Sequence, residues 1–249
     1  MAAVTLACLL ALVLVTATVS GVFGMAGGLM LMGGLTLVMP VQAAMVTHGA
    51  VQLVSNGWRA VIHRRHIGWP IIAFYAAGSL MAAFTLAAVS YAPSRAWTFL
   101  FLGLIPALAW LPKGVIEADA AKPSHAVICG LGVTGLNLIA GVAGPLLDVF
   151  FVRTTLTRHQ IVSTKAATQV LSHLSKIIFY GAPLIAGAGE GFPPLWFFAL
   201  AVPLSMLGAM IGGRILDRMS DVNFLKYSKY IITALGVFYL AQAAKEFMQ

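Results

Sequence analysis

Between Thr47 and Arg59 the chain reads THGAVQLVSNGWR. A histidine, a glutamine, a serine, an asparagine and an arginine here interrupt one of the most apolar regions of the sequence. On a helix, His48, Gln52, Ser55, Asn56 and Arg59 fall at i, i+4, i+7, i+8 and i+11. With about 100° between residues, those positions form a single stripe roughly 100° wide. What the stripe means depends on the solvent around it.

Composition identifies that solvent. The chain has 249 residues, of which 60% are hydrophobic and 9% charged. A soluble domain carries about 25% charged residues. Fifteen basic and seven acidic residues are too few to coat a globule of this length. The mean hydropathy of +0.94 agrees. The chain therefore reads as a polytopic, all-α protein whose main partner is the lipid bilayer. The net charge of +8 does not indicate nucleic acid, because the basic residues are spread over loops between apolar segments. The apolar N-terminus lacks the basic start of a secretory leader and reads as a retained transmembrane helix, with cleavage near Ser20 as the alternative. Cys8 and Cys129 both lie in apolar runs and read as small buried hydrophobes.

A helix crosses the hydrocarbon with about 20 apolar residues. Full-length candidates are 3–23, 69–92, 96–112, 125–143, 193–213 and 227–244. The regions 24–66 and 144–191 each hold a glycine-rich break, a short apolar piece (28–40 and 145–156) and a polar helix (44–63 and 160–180). Arg64, Arg65, Lys113, Lys122, Arg153, Arg158, Arg214, Arg218, Lys226 and Lys229 lie in or beside loops. Placing all of them on the cytoplasmic side leaves only Arg95 and Lys245 opposite, which is a strong positive-inside bias. Arg59, Lys165 and Lys176 lie inside spans. The bias sends 44–63 from outside to inside and 160–180 from inside to outside. The short pieces must then connect opposite sides. That gives about 8–10 membrane segments, five elements in each half. An odd number makes the halves inverted.

The halves also align in sequence. With a shift of 117 positions, GMAGGL (Gly24–Leu29) falls on GVAGPL (Gly141–Leu146). Without a gap, THGAVQLVSNGWR falls on TKAATQVLSHLSK (Thr164–Lys176). Thr47/Thr164, Ala50/Ala167, Gln52/Gln169 and Ser55/Ser172 are identical, and His48/Lys165 and Arg59/Lys176 keep a basic side chain. Two repeats, 1–122 and 123–249, therefore make one membrane domain. Inverted repeats with broken helices are a recurrent transporter plan.

The second stripe is Lys165, Gln169, Ser172, His173 and Lys176. Lipid satisfies none of these groups, and a basic side chain at mid-membrane costs about 2.5–3.5 kcal/mol even on lenient scales. The stripes are expected to face each other or a wet cavity. Serine and amide side chains also serve as helix–helix contacts, which is the preferred reading for Ser55 or Ser172 taken alone. Arg59 and Lys176, near helix ends, either belong to the stripe or snorkel to the interface. Lys165, about six residues inside its helix, is harder to assign to the interface. His48 and His173 stand between these cases.

The stripes are rich in donors and poor in carboxylates, which suits a small oxyanion. Gly24, Gly27, Gly28, Gly141 and Gly144 precede the short helices, and free N–H groups at such starts bind anions. Close helix packing is the competing explanation. It is preferred for Gly208, Gly212 and Gly213. No Gly-Lys-Ser/Thr follows the GMAGG run, so it is not a nucleotide loop. Asp148 is the only carboxylate inside an apolar run. It reads either as a structural partner of Lys165 or Arg153, or as a proton-coupling group. Its counterpart under the shift is Leu31.

GVFGMAGGLMLMGGLTLVMP (Gly21–Pro40) and GVAGPLLDVFFVRTTLTRHQIVSTKAATQVLSH (Gly141–His173) resemble the paired signatures of the sulfite exporter TauE/SafE family. The resemblance covers most of the chain. It implies a multi-pass permease of the bacterial inner membrane for sulfite, organosulfonates or related anions. Family signatures usually have Gly-Gly where this chain has Gly144-Pro145, and Asp148 is a further departure. Both leave the exact substrate open.

The expectation is a secondary transporter, not an enzyme, with no cofactor and no metal. The substrate-binding candidates are His48, Gln52, Ser55, Asn56, Arg59, Lys165, Gln169, Ser172, His173, Lys176, Gly27, Gly28 and Gly144, with Asp148 for proton coupling. An anion channel is the alternative, and a metal-cation permease or intramembrane enzyme a weaker one. Whether the protein forms a homodimer is left open.

Overall fold

The computed structural model describes residues 2–110, 118–151, 153–183, 191–219 and 221–249. All regular structure among them is helical. The first half contains α1 (Ala3–Phe23), α2 (Met25–Val38), α3 (Val41–Ile62), α4 (Trp69–Ala88) and α5 (Arg95–Leu104). The second contains α6 (Pro123–Ala140), α7 (Gly144–Phe151), α8 (Arg158–Pro183), α9 (Leu195–Leu216) and α10 (Asp221–Phe247).

Four of these helices, α1, α4, α6 and α9, are long and apolar enough to cross a membrane. The outer surface is correspondingly apolar: Leu195 is 85% exposed and Phe84 73%. Lys176, Gln52, Asn56 and His173 are buried inside. This inversion of the usual distribution is what lipid selects, since it solvates apolar side chains and leaves polar ones to find each other.

Local chemistry sets the breaks. Gly24 (φ 63°) joins α1 to α2, and Gly141 (φ 83°) ends α6 before α7. Side-chain-bearing residues avoid such angles. Proline begins α6 at Pro123 and lies in the first turn of α4 at Pro70, where no N–H is missed. Ser94 caps α5 by accepting from the Trp97 N–H at 3.3 Å. The single helix expected over 96–112 is instead α5 followed by a 3₁₀ stretch, Ile105–Trp110. Pro106 explains the change, because it removes a donor and crowds the preceding turn. Residues 111 and 112 lie outside the described residues. With 14 and 8 residues, α2 and α7 are only about 21 and 12 Å long. Neither helix alone spans about 30 Å of hydrocarbon.

Helix packing links the two halves. α1 lies parallel to α9, and α4 parallel to α6. A Cβ on Gly212 would sit 2.3 Å from the Thr18 carbonyl oxygen, and one on Gly78 would sit 1.9 Å from that of Val127. α3 runs antiparallel to α8: His48 meets Lys176 at one end and the His63 ring meets that of His159 at the other. α5 runs antiparallel to α10, with Phe99 stacked on Tyr239 and Trp110 bonded to Thr233. Exchanging each element with its counterpart in the other half maps these pairs onto one another.

Two glycine and cysteine expectations change. Gly208 and Gly212 do pack closely on α1, but a Cβ on Gly213 would meet nothing within 4 Å. One more residue of helix rotates it by about 100°, away from the interface. Cys129 is buried, whereas Cys8 is exposed on the outer face of α1.

Candidate functional site

The two polar stripes lie on α3 and α8 and pack against each other at the centre of the protein. Lys176 is 0% exposed. Its Nζ donates to the carbonyl oxygen of Gly141 at 2.8 Å and to Oδ1 of Asn137 at 3.2 Å, and it lies 2.7 Å from Nδ1 of His48. Snorkelling is thus excluded for this lysine. The α6–α7 break supplies one of these acceptors, because a helix end leaves its last carbonyls without helical partners.

His48 spans the site. Its Nε2 lies 3.0 Å from the Gly28 carbonyl oxygen, which only accepts, so Nε2 carries a proton. The first short helix therefore contributes a carbonyl here. Gly28 also faces Gln52: a Cβ there would lie 2.7 Å from its Nε2. Gly27 is packed against α1, where a Cβ would lie 2.0 Å from the Thr16 carbonyl oxygen. Gly144 allows the start of α7 to touch Met25 at the start of α2, with a Cβ only 2.5 Å from the Met25 Cβ.

The His173 and His48 rings meet edge to face, with centroids 5.5 Å apart. Asn56 donates to the Gln52 carbonyl at 3.0 Å. Ser172 belongs to a hydroxyl chain in which Tyr75 OH lies 2.6 Å from Ser172 Oγ, Ser172 Oγ 3.0 Å from Thr134 Oγ1, and Thr134 donates to Ser79 at 2.8 Å. Thr134 has one proton, so the chain runs Tyr75 to Ser172 to Thr134 to Ser79. It ties α4, α6 and α8 together.

Among the described residues, four buried polar atoms have no hydrogen-bond partner: Thr47 Oγ1, Ser55 Oγ, Asn137 Nδ2 and His173 Nδ1. All belong to α3, α6 or α8. Buried polar groups are normally paired, and exceptions call for an explanation.

Lys165 and Asp148 sit apart from this centre. They form an ion pair between α8 and α7, with side chains 30% and 37% exposed. Arg59 is half-buried near the end of α3, and Gln169 is half-buried on α8. The structure thus brings together His48, Gln52, His173, Lys176 and Gly28, while Asn56 bonds its own helix and Ser172 joins the hydroxyl chain. It leaves Lys165, Asp148 and Arg59 at a distance from Lys176.

Sequence reasoning missed Asn137, Tyr75, Ser79 and Thr134. Asn137 carries the only amide side chain in α6 and lies four residues before the Gly141 break, which was a readable signal. Tyr75 and Ser79 share one face of α4 at i and i+4, a weak signal, and Thr134 stands in the apolar α6.

The sequence model of one protein family, described as Sulfite exporter TauE/SafE, matches residues 9–239. No curated protein and no solved structure matches the chain.

Proposed function

The chain belongs to the sulfite exporter TauE/SafE family, and from that premise we propose a secondary permease for a small sulfur-containing oxyanion, such as sulfite or an organosulfonate. The family is one of membrane transporters for sulfite and related anions, and the chain is a multi-pass membrane protein. One observation carries the finer reading. Lys176 is wholly buried, and among the described residues its hydrogen-bond partners are a backbone carbonyl, an amide and an imidazole, with no carboxylate. Buried charges are usually paired with an opposite charge. An oxyanion supplies that charge, and the unpaired Asn137 Nδ2, on the side chain whose Oδ1 accepts from Lys176, is a donor beside it.

The site lies between the two halves, 1–122 and 123–249, taken as inverted repeats. The interchangeable helix pairs and the antiparallel course of α3 and α8 support that arrangement. Alternating access then moves one repeat against the other around the Lys176 centre. Asp148, on the short helix of the second repeat, is the proposed proton-coupling group, and its partner Lys165 links that helix to the substrate-bearing α8. The membrane concerned is the bacterial inner membrane.

The test is sulfite flux into proteoliposomes. Wild-type protein should give saturable flux, and correctly inserted Lys176→Met should lose it by about a hundredfold or more, as expected for removal of a buried charge-assisted contact. Undiminished saturable flux in the variant would remove Lys176 from the pathway.

A further inference from the structure

Counting protons at the centre of the protein limits the charge of its ligand. Four short contacts meet on the pair His48 and Lys176: to Gly28 O, Gly141 O, Asn137 Oδ1, and between Nδ1 and Nζ. The three oxygens only accept. Each of the four contacts needs one proton from the pair. A neutral imidazole and a neutral amine together carry three N–H protons, and a fourth makes the pair singly cationic. A fifth has no acceptor, because Nδ1 and Nζ would then oppose two protons across 2.7 Å. The pair therefore carries one positive charge, whichever nitrogen holds the proton.

No other charge reaches the centre among the described residues. Lys165 is neutralised by Asp148. Arg59 lies eleven residues along α3 from His48, about 16 Å at 1.5 Å per residue. The His173 Nδ1 has no hydrogen-bond partner.

We infer that the site selects a singly charged oxyanion, such as hydrogensulfite or an alkanesulfonate, over dianions such as sulfite, sulfate or thiosulfate. This rests on the oxyanion-permease reading above. A monoanion leaves the buried centre neutral. A dianion leaves one negative charge without a counter-charge in a medium that screens it poorly. The unpaired Asn137 Nδ2, on the side chain whose Oδ1 accepts from Lys176, adds a neutral donor to the ligand shell and no charge.

Calorimetric titration of the detergent-purified full chain tests this with methanesulfonate, sulfate, thiosulfate and sulfite across neutral pH. Methanesulfonate should bind at least about tenfold more tightly than sulfate or thiosulfate. Sulfite affinity should fall as pH rises and hydrogensulfite loses its proton. Methanesulfonate stays monoanionic and controls for titration of the protein, so its affinity should hold constant. Asn137→Asp, of nearly unchanged shape, places a carboxylate against Lys176 and should abolish methanesulfonate binding. Dianions binding as tightly as methanesulfonate, or full binding by Asn137→Asp, would overturn the charge selection and leave the permease reading standing. Absence of binding by every sulfur anion would overturn both.

Discussion

The Nζ of Lys176 and the Nδ1 of His48 lie 2.7 Å apart across the α3–α8 interface, although 128 positions separate them in the chain. The contact joins the two halves of the protein, and His48 extends it to the first short helix through Gly28. Movement of α8 relative to α3 must break it.

Replacing His48 with Phe keeps the ring volume and removes both bonds. It also leaves the Gly28 carbonyl without this partner. A neutral hydrogen bond contributes about 1 kcal/mol and one to a charged group about 1.5–3 kcal/mol. His48→Phe should therefore lower stability by roughly 3 kcal/mol. A melting temperature in detergent equal to that of wild type would show that the bridge contributes little.

The hydroxyl chain through Ser172 gives a milder expectation. Tyr75→Phe removes the donor at its head and keeps the fully buried ring. The loss should be about 1 kcal/mol. Because Ser172 keeps its contact to Thr134, flux should survive in this variant. Complete loss of flux with normal folding would assign the chain a part in transport itself.

Neighbouring glycines on α9 should respond in opposite directions. Gly212→Ala drives a methyl to 2.3 Å from the Thr18 carbonyl oxygen, and overpacking of this kind costs about 1–3 kcal/mol. Gly213→Ala meets nothing and gains helix propensity, up to about 1 kcal/mol. Thermal melting of the two variants side by side checks the helix face. Equal destabilisation by both would contradict the packing of α1 on α9.

Asp148→Asn separates a coupling role from a structural one. The ion pair with Lys165 is partly exposed on both sides, and such pairs stabilise by at most about 1 kcal/mol. Stability should change little, whereas the dependence of flux on the proton gradient should disappear. Retained proton dependence in proteoliposomes would clear Asp148 of that role.

The sequence by itself determined the solvent, the helical class, the glycine breaks that precede the two short helices and the two polar stripes, while the break at Ile105 inside the helix expected over 96–112 escaped it. These are local properties. Apolar runs, Gly24, Gly141 and the four-residue spacing from His48 to Gln52 act within a few turns of their own helix. The tertiary structure decided which basic side chain is buried. Lys165 and Lys176 open and close the same stripe and lie at equal depth within α8, yet Lys176 lies in the centre while Lys165 is part-exposed and paired with Asp148. Helix rotation and the approach of α6 set that outcome, and neither is written in the spacing along α8. Asn137 enters the site the same way, from 39 positions away. Burial and choice of partner are sums over several helices, so only their packing could fix them.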